Sequence, residues 1–559
     1  MPSWLFGSLR HYDRAWLRGD LVAGLTVWAV LVPEALAYAS IAGVSPVVGL
    51  YAAPGALLLY AALGSSRHLV TGPMSATAAL SAATVGDLVA QGQSGFAATT
   101  AALAVTTGIL ALVAGLLRLG FLAGFISEPV LKGFIVGLAL TIIVGQLPKL
   151  AGLESGSGDF FEKLWDLIGD LGDADVTTLA VGLLSLAVVL GGKRLMPAVP
   201  WSLVAVALGV IAVKAFSLDD HGVAIVGQID SGLPSFGLPD VDSDRYLELA
   251  AGAAGIALVG FAEGLGAAKT YAARDHYDIE VNRELTGLGG ANLAAGLSSG
   301  MVVNGSLSKT AVNGSAGAHS QLSGLLVAAL TIVTLLLLTG LFESLPEATL
   351  AAVVVAAVIE LVDVASLRRL YGVWTARLGT LYGHAARADF IAAIAAMLGV
   401  LVFDTLPGLF IGIGVSMLLL VYRVSRPNMA ELGRVPGAHH QWTDLRRHPD
   451  NDLPEGIVVL RPEGPLIFAD ADHVRAVVRR RAAAEGVRAV VLDLETVPFV
   501  DVTAASSSSS RPIISAAVGV QLLVARDVGQ VRDVLRTAGE GGERVFPTVG
   551  QAVAAAGEA

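Results

Sequence analysis

Four stretches of the chain carry side chains able to handle a small charged solute inside an apolar surrounding. The first is Thr71-Gly72-Pro73-Met74-Ser75-Ala76-Thr77. Gly72 and Pro73 permit a turn from extended chain into a helix, and Ser75 and Thr77 offer hydroxyls at its start. Read blandly, it is a proline kink. The second is Asn304-Gly305-Ser306-Leu307-Ser308-Lys309-Thr310. A lysine there opposes the positive end of a helix dipole, a conflict that a bound anion relieves. The bland alternative is a lysine snorkelling to an interface.

The other two are single acids. Glu263, in Gly260-Phe261-Ala262-Glu263-Gly264-Leu265, sits in an otherwise apolar run. A desolvated carboxylate can exchange protons, or it can be a permanent structural partner for Lys309. Glu34 follows Pro33, which breaks a helix and frees backbone groups near mid-span. It is a substrate contact, a second proton site or a hydrogen-bonded core acid.

These residues need elements to hold them. The chain has 559 residues, 54% hydrophobic and 15% charged, with 65 glycines, and its mean hydropathy is +0.69. That composition belongs to a polytopic membrane protein. Apolar runs near 21–41, 46–63, 97–117, 130–147, 177–192, 199–215, 248–268, 285–300, 321–341, 347–362, 388–403 and 406–422 predict full crossings. Shorter segments near 74–90 and 306–316 predict half-helices preceded by extended backbone. The expected total is fourteen crossings. With the N-terminus inside, the positive-inside rule places Arg67, Arg118, Lys193, Arg274, Arg368 and Arg423 on the same side, and the acidic loops at 151–174 and 216–247 opposite. A discontinuous segment third in each half predicts two seven-helix repeats of inverted topology. The substrate then lies at the midplane between half-helix N-termini.

Residues 427–559 carry 17 Asp/Glu and 14 Arg, about 23% charged against about 12% elsewhere. The expected organisation is therefore a cytoplasmic N-terminal segment at 1–20, a transport domain at 21–426 and a soluble cytoplasmic domain at 427–559. The absence of cysteine excludes disulfides, thiolate metal sites and cysteine nucleophiles. A net charge of −11 without a basic tract argues against nucleic acid as a partner. No nucleophile–base constellation points to an enzyme, and no cofactor is implied. His319, His384, His439 and His440 lack ligand spacing, so no metal site is expected.

Together the sequence resembles the SulP family of anion transporters, relatives of pendrin and prestin, over almost its whole length. The resemblance rests on Pro33-Glu34-Ala35-Leu36-Ala37-Tyr38-Ala39, on Ala42-Gly43-Val44-Ser45-Pro46 running to Tyr51, and on Gly64-Ser65-Ser66-Arg67 leading to Gly72-Pro73. Gly120-Phe121, Ser127-Glu128-Pro129-Val130-Leu131-Lys132-Gly133-Phe134, Gln146-Leu147-Pro148 and Gly305 to Asn313 extend it. It implies a 7+7 inverted repeat with core and gate subdomains, an elevator-like movement of the core, a homodimer in the plasma membrane and a cytoplasmic α/β STAS domain. Carried onto matching positions, it implies that Met74, Ser75, Ser308 and Lys309 contact the anion and that Glu263 couples cations. Ala267 and Ala268 stand a turn beyond Glu263, which favours protons over sodium. Glu34 departs from the glutamine common in the family, and its charge repels a dianion unless protonated or shared with Lys309.

In the tail, apolar runs at 457–460, 489–494 and 520–525 predict strands, and 471–485 and 527–537 predict helices. Thr503 falls where relatives of the domain carry a phosphorylatable residue. The run Ser506 to Ser510 followed by Arg511-Pro512 interrupts an expected helix. The leading functional reading is proton-coupled transport of a small anion such as sulfate, bicarbonate or a dicarboxylate. An uncoupled exchanger, channel or motor-like protein, a nucleobase permease and a STAS-linked sensor are the alternatives.

Overall fold

The computed structural model describes residues 5–558 apart from 11, 126, 155, 157, 197–198, 228–230, 373–387, 404, 439–440, 502–519 and 538–544. Thr503, the Ser506–Pro512 stretch, His384, His439 and His440 lie outside the described residues. The chain divides into two compact units, Met1–Leu370 with Asp389–Val415, and Tyr371–Ala388 with Ser416–Ala559.

The first unit is helical. Its helices are α1 Leu17–Ile41, α2 Pro46–Leu63, α3 Ser75–Gly86, α4 Phe96–Leu116, α5 Glu128–Ala151, α6 Phe160–Asp170, α7 Val176–Leu195, α8 Trp201–Phe216, α9 Ser243–Glu248, α10 Ala250–Arg274, α11 Val281–Leu297, α12 Leu307–Ser315, α13 Leu322–Val333 and α14 Glu347–Val358. Among the described residues nine helices are long and apolar enough to cross a membrane, and Trp201–Phe216 and Asp389–Phe403 are shorter apolar helices. Small residues bring them close. A Cβ on Gly108 of α4 would lie 2.5 Å from Leu293 N of α11, and one on Gly289 of α11 would lie 2.6 Å from Leu112 N of α4. Only glycine fits that seam, where dispersion and close backbone approach do the packing.

Both short segments form as expected. Strand β1, Val70–Gly72, precedes α3, and β2, Asn304–Ser306, precedes α12. The strands pair antiparallel, Val70 with Ser306 and Gly72 with Asn304. This pairing satisfies backbone groups that a broken helix leaves exposed. The loop expected at 151–174 differs: α6 fills much of it, started by a capping box between Asp159 and Glu162.

In the second unit a six-stranded sheet has the order β4-β3-β5-β6-β7-β8, built from β3 Asn428–Arg434, β4 Trp442–Asp444, β5 Ile457–Glu463, β6 Ala489–Asp493, β7 Gln521–Ala525 and β8 Val545–Phe546. Strands β5 to β8 run parallel, while β3 is antiparallel to β4 and β5. Alternation along β6 sends Val490 and Leu492 to a core with Val474 and Val478 of helix Ala471–Ala482. Val491 points to the other face, with Val549 and Ala552 of helix Val549–Glu558. Neither the edge strand β4 nor its neighbour β3 has a clear signal in the sequence.

Candidate functional site

The β1–β2 pairing puts the first turn of α3 and the first turn of α12 into one region of the bundle. Met74 is the extended residue before α3, and no side chain caps that helix. The N–H groups of Ser75, Ala76 and Thr77 therefore lack intrahelical partners, leaving a positive end open to a ligand. Ser75 is buried, and among the described residues its hydroxyl has no hydrogen-bond partner. The α12 end is different. The Ser306 hydroxyl accepts from Lys309 N at 3.2 Å and lies 3.1 Å from the Ser308 hydroxyl, while Ser308 itself is exposed.

Lys309 is the centre of the arrangement. Its side chain is 1% exposed, and Nζ lies 2.7 Å from Oε2 of Glu34, whose side chain is 10% exposed. Nζ also donates to the Pro73 carbonyl at 3.2 Å and sits 5.1 Å from the centre of the Tyr38 ring. Pro33 lies within α1 one residue before Glu34. The ammonium thus joins α1, the end of β1 and α12 through one charge-assisted contact, one carbonyl and one aromatic face.

Glu263 stands apart from that pair. Its Oε2 accepts from Asn304 Nδ2 at 3.3 Å, and among the described residues it has no cationic partner. The structural reading in which Glu263 permanently neutralises Lys309 is corrected: Glu34 holds that place. Close approach of α10 to β2 makes the Asn304 contact possible. A Cβ on Gly264 would lie 3.3 Å from Asn304 Oδ1, and one on Gly305 would lie 3.0 Å from Gly264 Cα.

Three buried networks brace this framework and were missed in the sequence. Glu284 of α11 accepts from Tyr60 Oη at 2.6 Å, Ser65 N at 2.7 Å, Ser65 Oγ at 2.8 Å and Ser66 N at 2.9 Å. His68 lies 3.0 Å from Asp275, 2.9 Å from the Ala318 carbonyl and 3.1 Å from Tyr277 Oη. Its own carbonyl accepts from Asn313 Nδ2 at 2.9 Å, tying the approach to β1 onto α12. Asp20 of α1 accepts from His319 N, Ser320 N and Ser320 Oγ just before α13. Acids in apolar runs were the available signal. Their partners are N–H groups and hydroxyls far away in the chain, which leave no pattern in a sequence. Among the described residues no cluster of metal-ligating side chains is present.

A bundle of apolar helices with two discontinuous segments meeting at a buried ion pair, followed by a sheet domain of this topology, defines a multi-pass membrane transporter. Residues 17–383 match the sulfate permease family, and residues 448–552 match the STAS domain. The chain belongs to the sulfate permease family. It is 36% identical to a probable sulfate transporter of Mycobacterium tuberculosis, over 98% of this chain and 97% of that one. It is 28% identical to high affinity sulfate transporter 1 of Stylosanthes hamata, over 98% of this chain and 85% of that one. Murine Solute Carrier 26 family member A9, an anion transporter in the inward-facing state, shares the fold. The TM-score is 0.87 at 22% identity, covering 100% of this chain and 94% of that one. The transmembrane domain of a cyanobacterial bicarbonate transporter, BicA, matches at a TM-score of 0.60 and 24% identity over 69% of this chain and 97% of that one.

Proposed function

We propose that the chain is a secondary active transporter of a small oxyanion, sulfate before bicarbonate or a dicarboxylate, driven by protons. Sulfate comes first because the relatives similar over nearly the whole chain bear the name of sulfate transporters. The observation that carries the reading is the Lys309–Glu34 pair beside the uncapped start of α3. A fixed cation and free helix N–H groups suit an anion, and Glu34 occupies the cation until something displaces or protonates it.

In this reading Lys309, Ser75 and the α3 N-terminus hold the anion, with Met74 and Ser308 at its rim. Glu34 is the competing counter-charge. Glu263, hydrogen-bonded to the strand that leads into α12, carries the coupled proton. The proposal includes fourteen crossings in two inverted seven-helix halves, elevator-like movement, a homodimer, a plasma-membrane location and cytoplasmic termini. It gives the chain no enzymatic step. Thr503 stays a proposed regulatory phosphosite.

Uptake into proteoliposomes, with sulfate, bicarbonate, chloride and a dicarboxylate offered with and without an inward proton gradient, is the test. Sulfate accumulation that follows the gradient supports the reading. Accumulation of a neutral nucleobase, or anion flux indifferent to pH, refutes it.

A further inference from the structure

A second feature of the bundle lies at the end of α1 remote from the N-terminus. Two adjoining cavities there, about 420 and about 350 Å³, share Ser40, Gln91, Gln146 and Lys149 on their walls. The end of α1, which carries Glu34, contributes to both linings, and α3 contributes to the smaller one. Ala79 of α3 lines the smaller cavity and stands four residues after Ser75, about one helical turn. Ser40 stands six residues after Glu34, a rise of about 9 Å.

The walls are polar in a particular way. Lys149 near the end of α5 and Lys163 of α6 both face the smaller cavity, with Asp87 as the one acid on its lining. Glu347 lines the larger cavity. Among the described residues neither lysine is within ion-pair distance of a carboxylate. Gln146 is 7% exposed, and among the described residues its amide has no hydrogen-bond partner. The amide lines both cavities and is open to a ligand or water there. In the smaller cavity the two ammonium groups outnumber the one carboxylate and are available to a negative solute.

We propose that this vestibule is a second anion site, which captures a doubly charged oxyanion on Lys149 and Lys163 with the Gln146 amide donating to it. From there the anion passes along α1 and α3 to Lys309. The inference rests on the anion-transport reading and adds to it a site apart from the Lys309–Glu34 pair; the two vestibule lysines lie outside the motifs quoted above. Attraction scales with the charge of the solute, so the vestibule discriminates divalent from monovalent anions before the buried site is reached.

Two experiments test it. The first measures influx into proteoliposomes of sulfate and of nitrate for Lys149→Gln, Lys163→Gln and the double variant. Ionic strengths of about 10 and about 150 mM take the screening length from about 30 to about 8 Å. The expected result is a sulfate KM raised about three- to tenfold in the double variant at low salt, with Vmax kept. The rise should be smaller at high salt and for nitrate. An unchanged KM, or a fall in Vmax alone, overturns the proposal. The second measures equilibrium binding of radiolabelled sulfate to detergent-solubilised full-length Lys309→Ala. Residual weak binding that disappears on adding the two lysine substitutions is expected. Residual binding that survives them, or none to begin with, overturns it. If wild type moves no anion while this weak binding obeys the lysines, the transport reading fails and the vestibule stands.

Discussion

Replacing Glu34 with glutamine removes one charge from the site and changes almost nothing of its shape. In the resting structure Lys309 has its counter-charge at 2.7 Å, with side-chain exposures of 1% and 10%. At an effective dielectric constant of about 20 the pair attraction at that distance is roughly 6 kcal/mol, much of it offset by desolvation. Removing one partner of such a pair destabilises by about 3–5 kcal/mol, because the other charge stays buried alone. In the variant a bound anion supplies the missing charge, so part of that energy returns on binding. The expected outcome is sulfate affinity at pH 8 raised about ten- to a hundredfold, about 1.4–2.7 kcal/mol, together with lower thermal stability of the empty protein that saturating sulfate restores. In wild type the anion competes with the Glu34 carboxylate for Lys309, and the variant has no such competitor. Isothermal titration of sulfate into the two proteins at pH 8 separates them. A variant that binds no tighter than wild type refutes the competition between Glu34 and the anion.

Lys309→Ala leaves the anion to helix N–H groups alone and should weaken binding at least tenfold, about 1.4 kcal/mol or more; unchanged affinity moves the site away from α12. Glu263→Gln should keep anion binding and exchange but abolish uptake driven by a proton gradient. Gradient-driven accumulation that survives in the Glu263→Gln, Glu34→Gln double variant shows that neither acid carries the proton. In the C-terminal unit, burial raises the Asp470 carboxyl to about 6, with the nearby Asp501 charge adding and the Ile467 N–H opposing. The folded value lies above an unfolded value of about 3.9, so this group's stability contribution is full below about pH 4 and is lost as pH rises through about 6, up to about 3 kcal/mol. Asp470→Asn should flatten that slope in thermal unfolding of the full-length protein, and a slope equal to wild type counts against it.

How far the sequence carried the architecture depended on where each element gets its hydrogen bonds. The two discontinuous segments were legible because Gly72-Pro73 and Gly305 interrupt apolar runs, and such interruptions survive in a membrane only where backbone is otherwise satisfied. What satisfies it, the β1–β2 ladder, is a pairing across more than two hundred residues with three positions on each side. Nothing in either segment announces the other. The same distance hid the partner of Lys309. Glu34 and Glu263 both read as buried acids in apolar helices, and which of them meets the lysine is decided by the path of α1 past the end of β1. The amphipathic α6 failed for a different reason. Its capping box is readable, but its acidic residues equally suit an exposed loop, because an amphipathic helix carries such residues on one face.

The pairing of Lys309 with Glu34 bears on what kind of carrier the proposed mechanism can be. A site holding a lone ammonium in an apolar bundle is expensive to move through the membrane when empty, since the charge travels without compensation. Such a carrier returns only when loaded and so exchanges one anion for another. A carboxylate attached to α1 removes that constraint, because it stands in for the substrate whenever the site is empty. The empty site is then close to neutral and can reorient alone, which is what net uptake requires. The arriving anion must in turn displace Glu34 from Lys309 or arrive with a proton, since otherwise it adds negative charge to a site already balanced. In the proposed mechanism Glu263, held by Asn304 at the entry to α12, carries that proton. Two acids with separate partners in one bundle therefore fit the proposed net proton-driven uptake better than exchange.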